Sequence, residues 1–123
     1  SDPEHLDILL PLEETSADSG FWASCGPYIM VTCEDLYPDI SRSAFFARMV
    51  RKSKPYGCKL IMVMTSTETT GAESQVYGED GREICIALIG AREIDQLLRE
   101  RHDLEAFLRS RVLQARLSNY TAP

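Results

Sequence analysis

Three polar residues, Asp7, Thr32 and Glu34, have the types and spacing that could build one metal-dependent reaction centre. Thr32 and Glu34 stand two residues apart at the end of an apolar, β-branched run, and residues two apart on a strand point to the same face. Asp7 lies in an earlier apolar run. An acidic residue on one strand beside two polar groups on the next is the geometry of a metal-dependent nuclease site, where carboxylates bind Mg²⁺.

The elements that must position these residues follow from apolar periodicity and from helix-capping residues. The pattern predicts strands over Leu6–Leu12, Tyr28–Cys33, Lys59–Thr65 and Glu83–Ile89, helices over Ser41–Ser53, Thr67–Tyr77 and Ala91–Arg101, a last helix capped by Asp103, and a fraying tail from Ser118. Strands that alternate with helices favour parallel pairing, whereas the opening strand pair should be antiparallel. The expected fold class is therefore α/β, with a mixed central sheet flanked by helices.

Length and composition predict a single soluble domain over residues 1–123. The chain has 123 residues, of which 44% are hydrophobic and 26% charged, which is ordinary for a globular protein. It has no apolar run of the roughly 18 residues that a membrane-spanning helix needs. We expect no membrane association and a cytoplasmic location.

The formal net charge of −6 argues against tight, autonomous, nonspecific binding of nucleic acid. Such binding depends on Lys and Arg side chains that neutralise phosphates. A local basic patch is still compatible with this charge, and Arg48, Arg51 and Lys52 are the candidate nucleic-acid-binding residues. The alternative is that these residues form the solvated face of a helix.

The four cysteines, Cys25, Cys33, Cys58 and Cys85, contain no C-x-x-C pair. Their placement in or beside apolar segments predicts buried, reduced thiols that act as small hydrophobic residues. Because the spacing of zinc ligands is missing as well, we expect no zinc site.

Several segments carry a resemblance to a known family. They are Leu-Asp-Ile-Leu around Asp7, the run from Gly20 to Cys33, the phenylalanine-bearing helix, Lys59–Met64, and Ile86–Leu98 with the closing helix. Together they resemble the restriction-endonuclease-like PD-(D/E)xK nuclease superfamily over Leu6 to Leu117. The resemblance implies a three-layer core that here lacks the usual first helix and strand, so the chain is either a trimmed domain or a piece of a longer protein.

The family's active-site motif is only partly retained. The resemblance implies an Asp on one strand and Glu-x-Lys on the next, where the carboxylates bind Mg²⁺ and the Lys positions the attacking water. Asp7 matches the first acid, Thr32 occupies the Glu position and Glu34 the Lys position. A neutral hydroxyl is a weak ligand for Mg²⁺, and an anion at the Lys position cannot stabilise developing negative charge. The alternative is that Arg42 or Arg48 on the adjacent helix supplies the missing cation. Asp7 and Glu34 remain the candidate metal ligands, although Asp7 is also compatible with a plain strand-end residue.

The resemblance therefore implies a catalytically degenerate domain, a pseudo-nuclease, that serves as a structural, interaction or sensing module, for example in a bacterial defence-type protein. No cofactor is expected for it. One alternative is an active but divergent Mg²⁺-dependent DNA or RNA nuclease, and a second is a DNA-associated nucleic-acid-binding module without catalysis. A trimmed core exposes a sheet edge or a helix-docking groove, so a protein partner or a homodimer is expected.

Overall fold

The computed structural model describes residues 6–11, 25, 27–35, 41–66, 74–79, 82–99, 103–118 and 120–121. The description covers the backbone alone for seven of these residues: Leu6, Asp7, Glu79, Arg82, Ser118, Tyr120 and Thr121. The strands are β1 (Leu6–Pro11), β2 (Tyr28–Cys33), β3 (Leu60–Met64), β4 (Gln75–Glu79), β5 (Arg82–Ile89) and the two-residue β6 (Tyr120–Thr121). The helices are α1 (Arg42–Ser53), α2 (Ala91–Arg99) and α3 (Leu104–Ser118).

The strands form one mixed, open sheet in the order β1-β2-β3-β5-β4-β6. The central strands β2, β3 and β5 are parallel to one another. The opening pair β1–β2 is antiparallel, and β4 pairs antiparallel with β5. The predicted α/β class, the mixed sheet and the antiparallel opening pair are confirmed.

Helices cover both faces of the sheet because the central strands are apolar on both sides. One core cluster joins α1 to the sheet and consists of Met30, Phe45, Phe46, Met49, Val50, Cys58, Ile61, Val63, Ile84, Ile86 and Leu88. The cluster on the other face joins α2 and α3 to the sheet, and its members include Ile29, Val31, Leu60, Met62, Cys85, Ala87, Ile89, Leu108 and Val112. Alternate strand residues enter opposite clusters, as expected for strands buried on both faces.

The predicted helix starts at Ser41 and Asp103 are confirmed by capping hydrogen bonds. The Ser41 hydroxyl accepts a bond from the amide of Ala44 at 3.3 Å. The Asp103 carboxylate accepts bonds from the amides of Glu105 and Ala106 at 3.0 and 3.4 Å. Both side chains satisfy amides that have no partner within the first helical turn.

Two predictions of secondary structure are wrong within the described residues. The helix predicted over Thr67–Tyr77 is contradicted at its end, where Gln75–Glu79 forms β4; residues 67–73 lie outside the described part. Pairing with β5 overrides the local helical pattern, because β4 gains a complete antiparallel ladder there. The tail expected to fray instead contributes β6, which pairs parallel with β4.

Within the described residues no helix is both long enough and apolar enough to cross a membrane.

Candidate functional site

The backbone brings the predicted motif positions to one corner of the sheet. The β1–β2 register sets the Cα atom of Asp7 opposite that of Thr32. Glu34 follows β2 directly, and its amide donates to the carbonyl of Met64 at the end of β3, at 2.9 Å. The backbone therefore places the three positions near one another, and Thr32 and Glu34 lie on the side of β2 that faces α1.

Thr32 is fully buried at 0% exposure, and its hydroxyl oxygen has no hydrogen-bond partner. Its place on the strand, two residues after Met30, directs it toward the cluster that contains Phe45 and Met49. A buried hydroxyl without a partner costs about 1–3 kcal/mol in desolvation. The position that resembles the family's Glu therefore holds a neutral, enclosed group.

Glu34 forms an ion pair with α1. The Arg48 guanidinium nitrogen Nη2 donates to Glu34 Oε1 at 3.2 Å, and the two side chains are 45% and 14% exposed respectively. The guanidinium carbon also lies 5.6 Å from the ring centroid of Phe45. The carboxylate at the position that resembles the family's Lys is thus neutralised by a cation from the neighbouring helix.

The two motif side chains that the structure describes, those of Thr32 and Glu34, are poor ligands for Mg²⁺. Hard divalent cations prefer several carboxylate or carbonyl oxygens, yet the side chains here are a neutral hydroxyl and a carboxylate bonded to an arginine. Among the described residues no three His, Cys, Asp or Glu side chains are grouped closely enough to hold a metal ion. A cation bound by Glu34 would also face the positive charge of Arg48 at close range.

The three residues of the predicted basic patch share one side of α1, because they are three and four positions apart on the helix. Arg48 pairs with Glu34 near the carboxyl end of β2. Arg51 and Lys52 are exposed in the last turn of α1, where positive charge favours the helix dipole. Their role in nucleic-acid binding stays a prediction.

An open cleft of about 480 Å³ lies at the carboxyl ends of the parallel strands. Its described lining comprises Cys33, Glu34, Asp35, Met64, Thr65, Ser66, Ala91 and Ile94. Glu34 is the one predicted site residue in this lining. The volume of the cleft falls within the range of small-molecule sites, about 300–1,000 Å³.

The topology explains why a crevice forms at this place. The chain that leaves β2 proceeds to α1 on one face of the sheet, whereas the chain that leaves β5 enters α2 on the other face. Two connections that diverge to opposite faces leave a gap above the strand ends between them. In open α/β sheets this is the usual position of a ligand site.

Hydrogen bonds fix both walls of the cleft. On one wall the Ser66 hydroxyl donates to the Asp35 carboxylate. On the other, Glu93 Oε1 accepts a bond from the amide of Gly90 at 3.4 Å, just before α2 begins. Glu93 Oε2 in turn accepts a bond from Arg111 of α3. The Glu93 carboxylate therefore caps the start of α2, and Arg111 of α3 holds that carboxylate in position.

Arg111 is nearly enclosed at 8% exposure, and burial lowers the pKa of its guanidinium below the usual value. Its guanidinium carbon stacks 4.9 Å from the ring centroid of Phe107. One of its nitrogens, Nη1, has no hydrogen-bond partner. The ion pair with Glu93 is consequently the main compensation for this buried charge.

The cysteine prediction is confirmed for three of the four residues and wrong for Cys33. Cys25, Cys58 and Cys85 are buried free thiols, while Cys33 is exposed. Burial raises the pKa of Cys58 above its ordinary value and that of Cys85 to about 12. Sequence reasoning missed Cys33 as a cleft residue, although its position as the last residue of β2 was an available signal.

No family model, curated protein or solved structure matches this chain. Its function is therefore inferred from the residues themselves.

Proposed function

We propose that this domain is a catalytically degenerate, restriction-endonuclease-like module that serves interaction or sensing and does not cleave nucleic acid. The observation that carries the proposal is the ion pair between Glu34 and Arg48. It places a neutralised acid where a nuclease of this type would need a free ammonium group to position water. Glu34 cannot take the part of that group in stabilising charge on a phosphate, and the nearby cation, Arg48, is bonded to Glu34.

The relation of β1 to β2 supports the proposed ancestry. Asp7 and Thr32 are direct partners across an antiparallel pair, and β2 connects through α1 to a parallel strand. An acid-bearing strand beside a motif-bearing strand is the arrangement that the resemblance implies. The finer restriction-endonuclease-like, three-layer assignment is part of this proposal.

The primary test is a cleavage assay on the unaltered 123-residue protein, with fluorescent single- and double-stranded DNA and with RNA, in Mg²⁺ and in Mn²⁺. We expect no strand scission above the level of a Glu34→Ala, Arg48→Ala control. Divalent-ion-dependent cleavage that disappears in Asp7→Asn would contradict the proposal and support the divergent nuclease.

A reconstruction series sharpens this test. Thr32→Glu, Glu34→Lys and Arg48→Ala are combined, because Arg48 would repel the introduced lysine. We expect Mg²⁺ to raise the melting temperature of this variant, since the ion would compensate an otherwise buried carboxylate. The matched control carries Thr32→Gln in place of Thr32→Glu, and its melting temperature should not respond to Mg²⁺. If Mg²⁺ raised the melting temperatures of both variants equally, Asp7, Thr32 and Glu34 would not form one metal site.

A further inference from the structure

Helix α3 carries a stripe of exposed residues on the side that faces away from the sheet. Its buried side chains lie along one side of the helix and are Leu108, Arg111, Val112 and Ala115. Four exposed residues repeat at helical spacing along the opposite side: Ala106, Ser110, Leu113 and Leu117. Leu113 is 56% exposed and Leu117 is 79% exposed. The outer side of α3 therefore presents apolar surface where a surface helix usually carries charged residues.

The stripe is small at its start and large at its end. Ala106 and Ser110 occupy its first half, and two leucines one turn apart occupy its second half. An open hollow of about 450 Å³ lies against the small residues. Its described lining comprises Asp103, Glu105, Ala106, Arg109, Ser110 and Leu113. The hollow fits a helix that presents large apolar side chains at the same spacing.

The second half of α3 is such a helix surface. When two copies of α3 pack antiparallel about a two-fold axis midway between positions 111 and 112, Ala106 of one copy lies opposite Leu117 of the other. The same axis sets Ser110 opposite Leu113. Alternating intervals of four and three residues are those by which packed helices interdigitate. The stripe is therefore complementary to itself, with each large side chain opposite a small one.

The charges beside the stripe fit the same arrangement. Glu105 and Arg116 lie on one flank of the stripe, near its opposite ends. The two-fold axis sets Glu105 of one copy about 3 Å along the helix from Arg116 of the other, because their positions then differ by two residues. Arg116 is 45% exposed and donates to Glu83 through Nε, which leaves its terminal guanidinium nitrogens for a second acid. A parallel pair would instead set Glu105 against Glu105, so the charges favour the antiparallel pair.

We propose that α3 is a dimerisation surface whose partner is α3 of a second copy of this chain, packed antiparallel about a two-fold axis. Closed two-fold pairs are the commonest form of homo-oligomer. The contact is short, since α3 has 15 residues and a length of about 22 Å. We therefore expect a reversible dimer rather than a permanent one. The inference goes beyond the proposed function, because α3 packs on the face of the sheet opposite Thr32 and Glu34.

The test is sedimentation velocity of the unaltered protein over a range of concentrations, compared with two matched variants. Leu117→Glu places a charge in the contact twice per dimer, and we expect it to raise the dissociation constant at least about 10-fold. The control is Leu98→Glu on α2, because Leu98 is 75% exposed and lies outside the stripe. Its charge change is the same, and its dissociation constant should equal that of the unaltered protein.

A third variant separates the fit of the stripe from general stickiness. Ser110→Leu makes the surface of α3 more apolar and fills the hollow that would receive Leu113 of the second copy. We expect the dimer to weaken, since the two leucines would then collide. Nonspecific association through apolar surface would instead become stronger. Ser110 is exposed and Leu favours a helix, so the fold should tolerate the change, and thermal melting followed by circular dichroism checks this.

Charge exchange tests the orientation of the pair. Glu105→Arg and Arg116→Glu should each weaken self-association, because each brings like charges together. A mixture of the two variants restores both Glu–Arg contacts of the antiparallel pair, so the mixed dimer should be about as stable as the unaltered dimer. A mixed dimer much tighter than the unaltered one would indicate parallel helices.

Several outcomes would overturn the inference: monomer at every concentration up to about 1 mM, equal weakening by Leu98→Glu, a tighter dimer in Ser110→Leu, or the signature of parallel helices. Nuclease activity in the cleavage assay would contradict the proposed function and leave the dimer unaffected. The two failures are therefore distinguishable.

Discussion

Two ion pairs, one on each face of the sheet, show how differently this fold uses a carboxylate near its strand ends. Glu34 pairs with Arg48 on the α1 side, and the arginine is 45% exposed. Glu93 pairs with Arg111 on the α2–α3 side, where the arginine side chain is 9% exposed. The first pair occupies the position where the family resemblance predicts chemistry, and the second braces a helix start.

The difference teaches that the two pairs have different energetic weights. A pair whose arginine is partly exposed contributes about 0–1 kcal/mol, because water solvates Arg48 when Glu34 is removed. A buried pair contributes little relative to an apolar replacement, yet breaking it by removing one partner costs about 3–5 kcal/mol. The α1 side should therefore tolerate loss of the Glu34–Arg48 pair, whereas the α2–α3 side depends on an intact Glu93–Arg111 pair.

The largest effect at neutral pH is expected on the buried pair. Glu93→Ala should lower the free energy of unfolding by about 3 kcal/mol, because it leaves the Arg111 guanidinium buried and unpaired. Urea unfolding measures this loss. The control is Glu93→Leu with Arg111→Leu, which should lose less than the single variant. A single variant that costs under about 1 kcal/mol would contradict the assignment of this pair as structural.

The next effect concerns pH and the same face of the sheet. Burial raises the pKa of Cys85 from 9.0 to about 12, so the unfolded thiol loses its proton first as pH rises. Stability should therefore fall between pH 9 and 12, by about 1.4 kcal/mol per pH unit from this group. Unfolding curves of the unaltered protein and Cys85→Ala measure the difference in slope. Tyr77, whose pKa burial also raises, is present in both proteins. Parallel pH dependences would contradict the prediction.

A smaller and opposite effect is expected at Thr32. Thr32→Val keeps the side-chain shape and removes a buried hydroxyl that has no partner. We expect stabilisation by about 1 kcal/mol, measured as an increase in the free energy of unfolding. Thr32→Ser, which keeps the hydroxyl and loses a methyl group, is the control and should destabilise. Loss of stability in Thr32→Val would indicate that the hydroxyl makes a favourable interaction. It would then be evidence that the motif is a functioning site.

The smallest effect is expected for the pair on the α1 side. A double-mutant cycle with Glu34→Ala and Arg48→Ala should give a coupling energy of about 0.5 kcal/mol, and high salt should reduce it. Arg51→Ala, on the same helix and exposed, is the control for loss of a basic residue. A coupling above about 2 kcal/mol would remove the contrast between the two faces.

Much of the fold could be predicted because its signals are local. Ser41 and Asp103 cap helices through their own side chains, and the apolar runs of β2 and β3 leave few alternatives. The strand β4 was missed because its helical pattern lost to pairing with β5, a contact that apolar periodicity does not report. The Asp80-Gly81 dipeptide between two β-branched and aromatic runs was the signal for a hairpin.

The position of the site could be predicted from the sequence, but the partners of its side chains and the shape around it could not. Alternation along β2 was sufficient to place Thr32 and Glu34 on one side of the strand. The partner of Glu34 depends on how α1 packs over the sheet, which brings Arg48 across 14 residues of sequence. The cleft was not predictable, since it arises from two connections that diverge to opposite faces.

The most direct measurement of the central claim is site-specific broadening of amide signals by Mn²⁺ in the unaltered protein. If the motif has lost its metal chemistry, signals near Asp7, Thr32 and Glu34 should weaken no faster than those beside other exposed carboxylates, such as Asp95. Selective loss of those three signals at low Mn²⁺, reversed by Asp7→Asn, would contradict the account.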